Sequence, residues 1–155
     1  MIYYKKIIQS LIFYCMSAFG ISLSIAAGIG VSAFNAMTLS FSTLSHIKVG
    51  TITLIFNLAF LLLYMFLSQF KHYKKYMIQA LAALLFGYVI NIFYYGLLSQ
   101  LTFDKFWLNC LLIAIGTAIS GGAVGMIVSF DVITFPLENV CLVMSQKTKK
   151  SFALY

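Results

Sequence analysis

Residues 18–38 read AFGISLSIAAGIGVSAFNAMT, and residues 114–134 read AIGTAISGGAVGMIVSFDVIT. Aligned without a gap at a separation of 96 residues, Ala18 falls on Ala114, Gly20 on Gly116, Ser24 on Ser120, Ala27 on Ala123, Phe34 on Phe130 and Thr38 on Thr134. Asn35 falls on its near-isostere Asp131. Background residue usage gives unrelated windows of this length roughly one or two identities. Each copy closes a long apolar run. Such a repeat marks an internally duplicated membrane protein, a plan common among transporters.

Working outward, the 155-residue chain is 63% hydrophobic and only 8% charged, whereas soluble domains are about 25% charged. Four apolar stretches reach the roughly 18 residues that cross about 30 Å of hydrocarbon. They are Ile7–Ala27, Val49–Phe70, Met77–Leu98 and Phe106–Phe130. The fold class is therefore an all-α membrane protein, with four complete transmembrane helices plus two short re-entrant or interfacial helices. One membrane domain covers residues 1–155.

The formal charge of +7 does not point to nucleic acid. All ten basic residues are lysine, and they sit between the spans rather than along one face. Lys5 and Lys6 precede the first span; Lys71, His72, Lys74 and Lys75 separate the second from the third; Lys147, Lys149 and Lys150 follow the fourth. Counting crossings puts all three clusters on one side, which the positive-inside rule assigns to the cytoplasm, with the N-terminus inside. Ser24-Ile25-Ala26 has the form of a signal-peptidase site, but the apolar run before it is too long for a signal peptide.

Two segments are too polar to span and too apolar to be solvated loops. The first follows Ala27-Gly28-Ile29-Gly30 and runs from Ser32 to Ser45. The second is expected to repeat the arrangement, with Gly121, Gly122 and Gly125 as its helix-weakening cluster and Pro136 at a first helical turn. Non-helical backbone at membrane depth survives only when packed in protein or lining a wet cavity. Past the short helices the register slips by four residues, and Thr51, which opens the second span, faces Ser151. Repeat one is then about residues 7–98. Repeat two is about residues 106–155 and is read as incomplete, its equivalent of the second span only begun at Tyr155. Three spans per unit reverse orientation, so the units form an inverted repeat and their short segments enter from opposite faces.

Gly28-Ile29-Gly30-Val31-Ser32-Ala33-Phe34-Asn35, followed by Lys48-Val49-Gly50-Thr51, resembles the YczE/YyaS/YitT group of bacterial polytopic membrane proteins. Ser129-Phe130-Asp131 ahead of Ser145 and Lys147 resembles the same pattern. The chain departs from it in carrying Asn35 where the first copy of the group usually has an acid, and in lacking a proline in that turn. The resemblance implies a multi-pass protein of the bacterial cytoplasmic membrane and carries no assigned chemistry.

Asp131 and Glu138 are the only acids besides Asp104. Read as one helix they share a face with Thr134 between them. On a cavity wall such carboxylates serve cation or proton coupling; at the water interface they only cap a helix. Asn35, Thr38 and Ser42 form the matching neutral stripe, with capping and interfacial polarity as the alternative. Gly20, Ser24 and Gly28, with Gly116 and Ser120, and Gly121 and Gly125, recur at the four-residue spacing that lets helices approach backbone to backbone, here spans one and four. Asn57, Gln79, Asn91 and Asn109 read as interhelical hydrogen-bonders, and Tyr88, Tyr94, Tyr95 and Trp107 as an outer aromatic belt.

Cys15, Cys110 and Cys141 lack metal or disulfide spacing, and no hydrolase constellation is present, so neither an enzyme nor a cofactor or metal site is expected. The leading functional reading is an inner-membrane permease moving a small solute or cation, with Asn35, Thr38, Asp131, Thr134 and Glu138 lining the site. The alternative is a non-transporting accessory or scaffold protein that packs its helices against a membrane partner or another copy of itself. Lipid is the surrounding partner in both, and nucleic acid in neither.

Overall fold

In the computed structural model, residues 2–70, 73–99, 105–130 and 133–148 are described. Their elements are all helical: α1 (Ile2–Ala26), α2 (Ala33–Ser45), α3 (Val49–Leu67), α4 (Tyr73–Asn91), α5 (Phe106–Phe130) and α6 (Pro136–Thr148). The last turns of α4 widen into a π-helix over Ile92–Leu97. Four helices are long and apolar enough to cross a membrane, namely Lys6–Ala26, Val49–Leu67, Tyr73–Leu97 and Phe106–Phe130. The chain is thus an all-α protein of membrane character, with two 13-residue helices too short to span.

The bundle is organised by two close helix crossings. At the first, α1 meets α5. A Cβ on Gly20 would lie 2.6 Å from the Gly116 carbonyl oxygen and 2.7 Å from the Ser120 nitrogen. One on Gly116 would lie 2.6 Å from the Gly20 carbonyl oxygen and 3.0 Å from the Ser24 nitrogen. Only glycine permits that approach, and the gain is dispersion between backbones in a solvent as apolar as the side chains. Because Gly20 meets Ser120 while Ser24 meets Gly116, the helices run antiparallel. Exchanging residue 20 with 116 and 24 with 120 turns each of these contacts into another of the set, the same pairing as in the aligned sequences.

The second crossing joins α3 to α4. Gly50 and Gly87 lie so close that a Cβ on either would collide with the other's carbonyl oxygen. Here the N-terminus of α3 finds partners on α4: the Gly50 N–H donates to Asn91 Oδ1 at 2.9 Å, and the Val49 N–H to the Tyr95 hydroxyl at 3.2 Å. Asn91 Nδ2 also donates to Thr51 Oγ1 at 3.2 Å. Orphan N–H groups at a helix start cost several kcal/mol at membrane depth if unsatisfied, so Asn91 acts as a cap supplied by a neighbouring helix.

Glycine behaves differently elsewhere. Gly28 closes α1 in the left-handed region with φ of 70°, its N–H bonded to the Ile25 carbonyl at 3.1 Å, as expected of a helix-terminating glycine. It has open space where a Cβ would sit, so its role is the turn and not the α1–α5 packing expected of it. Gly121 and Gly125 correct the packing expected of them. They lie inside α5, which runs unbroken to Phe130 as the fourth span was read, and no other described residue lies within 4 Å of a Cβ on either. Three glycines weaken a helix by about 1 kcal/mol each, but an unpaired peptide group in hydrocarbon costs more, and Ala123, Val124, Met126, Ile127 and Val128 keep this stretch apolar.

Candidate functional site

The two short helices begin beside the same cavity and end at opposite ends of the bundle. Beyond the C-terminus of α2, capped by His46 at φ of 56°, the chain enters α3 where Val49 and Gly50 bond the C-terminal part of α4 and its π-helical extension. The C-terminal half of α6, with Val143, Gln146 and Lys147, instead shares a cavity of about 650 Å³ with Tyr64, Leu67, Ser68 and Lys75, beside the start of α4. Between these ends lies a cavity of about 660 Å³ lined by Ser32, Phe34 and Asn35 from the start of α2 and by Phe135, Leu137 and Glu138 from the start of α6. The remaining wall includes Ser17, Ile21 and Ser24 of α1, Asn57 of α3, Phe86 of α4, and Ile113, Thr117, Ser120 and Val124 of α5.

Local sequence explains both helix starts. Ser32 adopts an extended conformation and its hydroxyl accepts from the Asn35 N–H at 3.4 Å, an N-cap in a chain just released by Gly28 and Gly30. Pro136 opens α6, where its missing N–H costs nothing. Two positions on, the Glu138 carboxyl takes a hydrogen bond from the Phe135 backbone, the reciprocal half of a capping box. Its other oxygen, Oε2, is buried with no hydrogen-bond partner among the described residues. Burial pushes the Glu138 carboxyl from 4.5 up to about 7, against the lowering effect of the Phe135 bond. Glu138 lies outside the four spanning helices, and none of the described residues lining the cavity is basic.

Of the residues expected to line a site, Asn35 and Glu138 come together here. Thr38 is fully buried in α2 and donates to the Asn35 carbonyl at 3.0 Å, one turn behind the cavity wall. Thr134 is a correction: it lines the neighbouring 650 Å³ cavity instead, in a buried chain in which Gln79 Nε2 donates to its Oγ1 at 3.4 Å and it donates to Asn139 Oδ1 at 2.8 Å. It also precedes Pro136 and is non-helical, so it shares no helix with Glu138. Asp131 lies outside the described residues, as do Asp104, His72 and Lys149.

The stripe Asn35, Thr38 and Ser42 faces inward, while Phe41 and Leu44 of the same helix are exposed. That inside-out pattern suits a helix whose outer face meets lipid. Sequence reasoning missed Ser17, whose hydroxyl is buried without a hydrogen-bond partner among the described residues. A signal existed: Ser10, Ser17 and Ser24 recur every seven residues on α1, and all three are buried. Asn57, read as an interhelical hydrogen-bonder, is 4% exposed and sits on the cavity wall.

No curated protein and no solved structure matches this chain. A family model does, over residues 4–155, and the chain belongs to that family, described as one of unknown function (DUF6198).

Proposed function

We propose that this member of the family is a permease-like protein of the bacterial cytoplasmic membrane, built on an inverted repeat, that moves a small solute through the 660 Å³ cavity. One observation carries the reading: two short helices from separate parts of the chain start at that cavity and end at opposite ends of the bundle. Discontinuous elements with their N-termini at one midplane site recur in inverted-repeat transporters. The 96-residue sequence repeat and the exchangeable contacts at Gly20 and Gly116 support the same plan. Lys75 and Lys147, from two separate basic clusters, line one cavity, which supports a shared cytoplasmic side. The likeness to the YczE/YyaS/YitT group supports the location.

The accessory-protein reading also has an observation in its favour. Gly122 and Gly125 of α5 are exposed, with no other described residue within 4 Å of a Cβ on either, a surface against which another helix could pack. Cysteine accessibility separates the two. With Cys15, Cys110 and Cys141 replaced by alanine, Asn35→Cys in a permease reacts with an impermeant maleimide from each side of the membrane in oriented vesicles. Protection from both sides defeats the permease reading in favour of the accessory one. In the same background Lys74→Cys and Asp104→Cys label from opposite faces; labelling from one face ends the four-span topology.

A further inference from the structure

The chemistry of the 660 Å³ cavity is one-sided. Among the described residues its lining holds one carboxylate, Glu138, and no lysine or histidine to neutralise it. Two acceptor-bearing groups point to a missing donor: Glu138 Oε2 and Ser17 Oγ are both buried with no hydrogen-bond partner among the described residues, and Ser17 is fully buried. Asn35 and Asn57 add two amide oxygens, and both residues are more than nine-tenths buried. The rest is hydrocarbon and aromatic ring. Phe86 and Phe135 lie edge to face with centroids 5.1 Å apart, and Phe34 lines the same space.

We infer that this cavity binds a small organic ammonium ion, a protonated amine on an apolar body, with Glu138 as its counter-ion and Ser17, Asn35 and Asn57 as hydrogen-bond acceptors. A primary ammonium offers three donors and no acceptor, which matches the groups left over. Aromatic faces attract such a cation, and the aliphatic wall removes its hydrocarbon from water. An inorganic cation would need about six oxygens at close range, too many for a wall this apolar. An anion would find no cationic partner among the described lining residues.

The inference rests on the permease reading only for what the bound ion does next. Binding itself is a proton exchange: the neutral carboxyl releases its proton to solvent as the ammonium arrives, and the carboxylate–ammonium pair takes its place. Burial of Glu138, which favours the neutral acid when the cavity is empty, supports that exchange. The groups facing Glu138 from other elements are Tyr14, Ser17 and Ser24 on α1, Asn35 on α2, Asn57 on α3, Phe86 on α4, and Thr117 and Ser120 on α5. Of these only Tyr14 carries a titratable group.

The test uses the full chain in phosphatidylcholine nanodiscs, with empty discs as reference and fluorine NMR titration as the readout. para-Fluorobenzylammonium and its neutral isostere para-fluorobenzyl alcohol are the probes. The ammonium ion should bind about tenfold more tightly than the alcohol at about pH 8, and lose most of that advantage at about pH 5. Glu138→Gln should remove the preference, and Asn35→Asp, adding a second carboxylate, should increase it. Equal binding of the two probes, or a preference that survives Glu138→Gln, overturns the inference. If Glu138→Gln does not fold, an unchanged preference in Asn35→Asp overturns it instead. Ammonium binding with no labelling of Asn35→Cys from either side would keep the cation site and end the permease reading. Labelling from both sides with no ammonium preference would do the reverse.

Discussion

The first short-helix unit, α1 with α2, and the second, α5 with α6, share a sequence pattern and diverge at one place. Both carry a glycine and a serine at the α1–α5 crossing, and there the geometry is reciprocal. A turn later α1 ends at Gly28 and Ser32 caps a new helix, whereas α5 passes through Gly121, Gly122 and Gly125 to Phe130. Glycine clusters of similar density therefore give a break in one unit and a continuous helix in the other. A helix at membrane depth ends where the freed backbone groups find partners. Gly28 adopts the left-handed conformation and Ser32 supplies a cap; Gly125 stays helical, and Ser129, four residues on, donates its hydroxyl back to the Gly125 carbonyl at 3.0 Å instead of capping a new helix. The units differ also in charge, since the first presents Asn35 to the shared cavity and the second Glu138.

The largest effect should come from breaking the reciprocal crossing. Gly20→Leu and Gly116→Leu place side chains where the partner backbone already lies, and each should lower stability by about 3 kcal/mol or abolish folded yield. Gly121→Leu and Gly125→Leu have no such neighbour and should keep near-normal yield and melting temperature. Fluorescence-detected gel filtration after heating in detergent ranks the four. Equal loss in both pairs would mean that α5 packs on both faces, and would favour the accessory reading.

Alanine separates the two kinds of glycine more finely. Gly28→Ala forces a side chain into the left-handed region and should cost about 1–2 kcal/mol. Gly125→Ala, in a helix interior with room for a methyl group, should gain about 0.5–1 kcal/mol. Opposite signs in thermal melts support the assignment; a shared sign contradicts it. Between these in kind, Asn91→Ala removes the cap on Gly50 and should cost about 1–2 kcal/mol, read in the same melts.

The charge difference between the units is read through pH. The folded Glu138 carboxyl titrates near 7 against 4.5 when unperturbed. A raised carboxyl binds its proton more tightly in the folded state, so its stabilising contribution is complete below about 4.5 and is lost as pH rises through about 7. Melting temperature should drift down across that window in the wild type and flatten in Glu138→Gln. An identical drift in both assigns the titration elsewhere.

The element count and the close approach of α1 and α5 were legible in the sequence, because long apolar runs have one outcome in hydrocarbon and small residues four apart on two helices invite contact. The site was legible in part. Asn35 and Glu138 stand out as polar residues beside apolar runs, whereas Ser17 and Asn57 look like ordinary packing polarity until the helices are assembled. Thr134 was misread because periodicity carried the helix back through residues that precede Pro136.

By itself, the sequence determined the local terms: helix length from apolar run length, the α1 stop from Gly28, the helix starts from Ser32 and Pro136, and the α1–α5 register from the 96-residue echo. Only the tertiary structure decided which polar groups share a cavity. It also revealed the contact of Gly50 with Gly87, and showed that Gly122 and Gly125 of α5 have open space beside them among the described residues. Local signals act within a turn or two of one helix. The cavity joins residues from six helices, and whether a buried oxygen lacks a partner depends on what the other five bring near it.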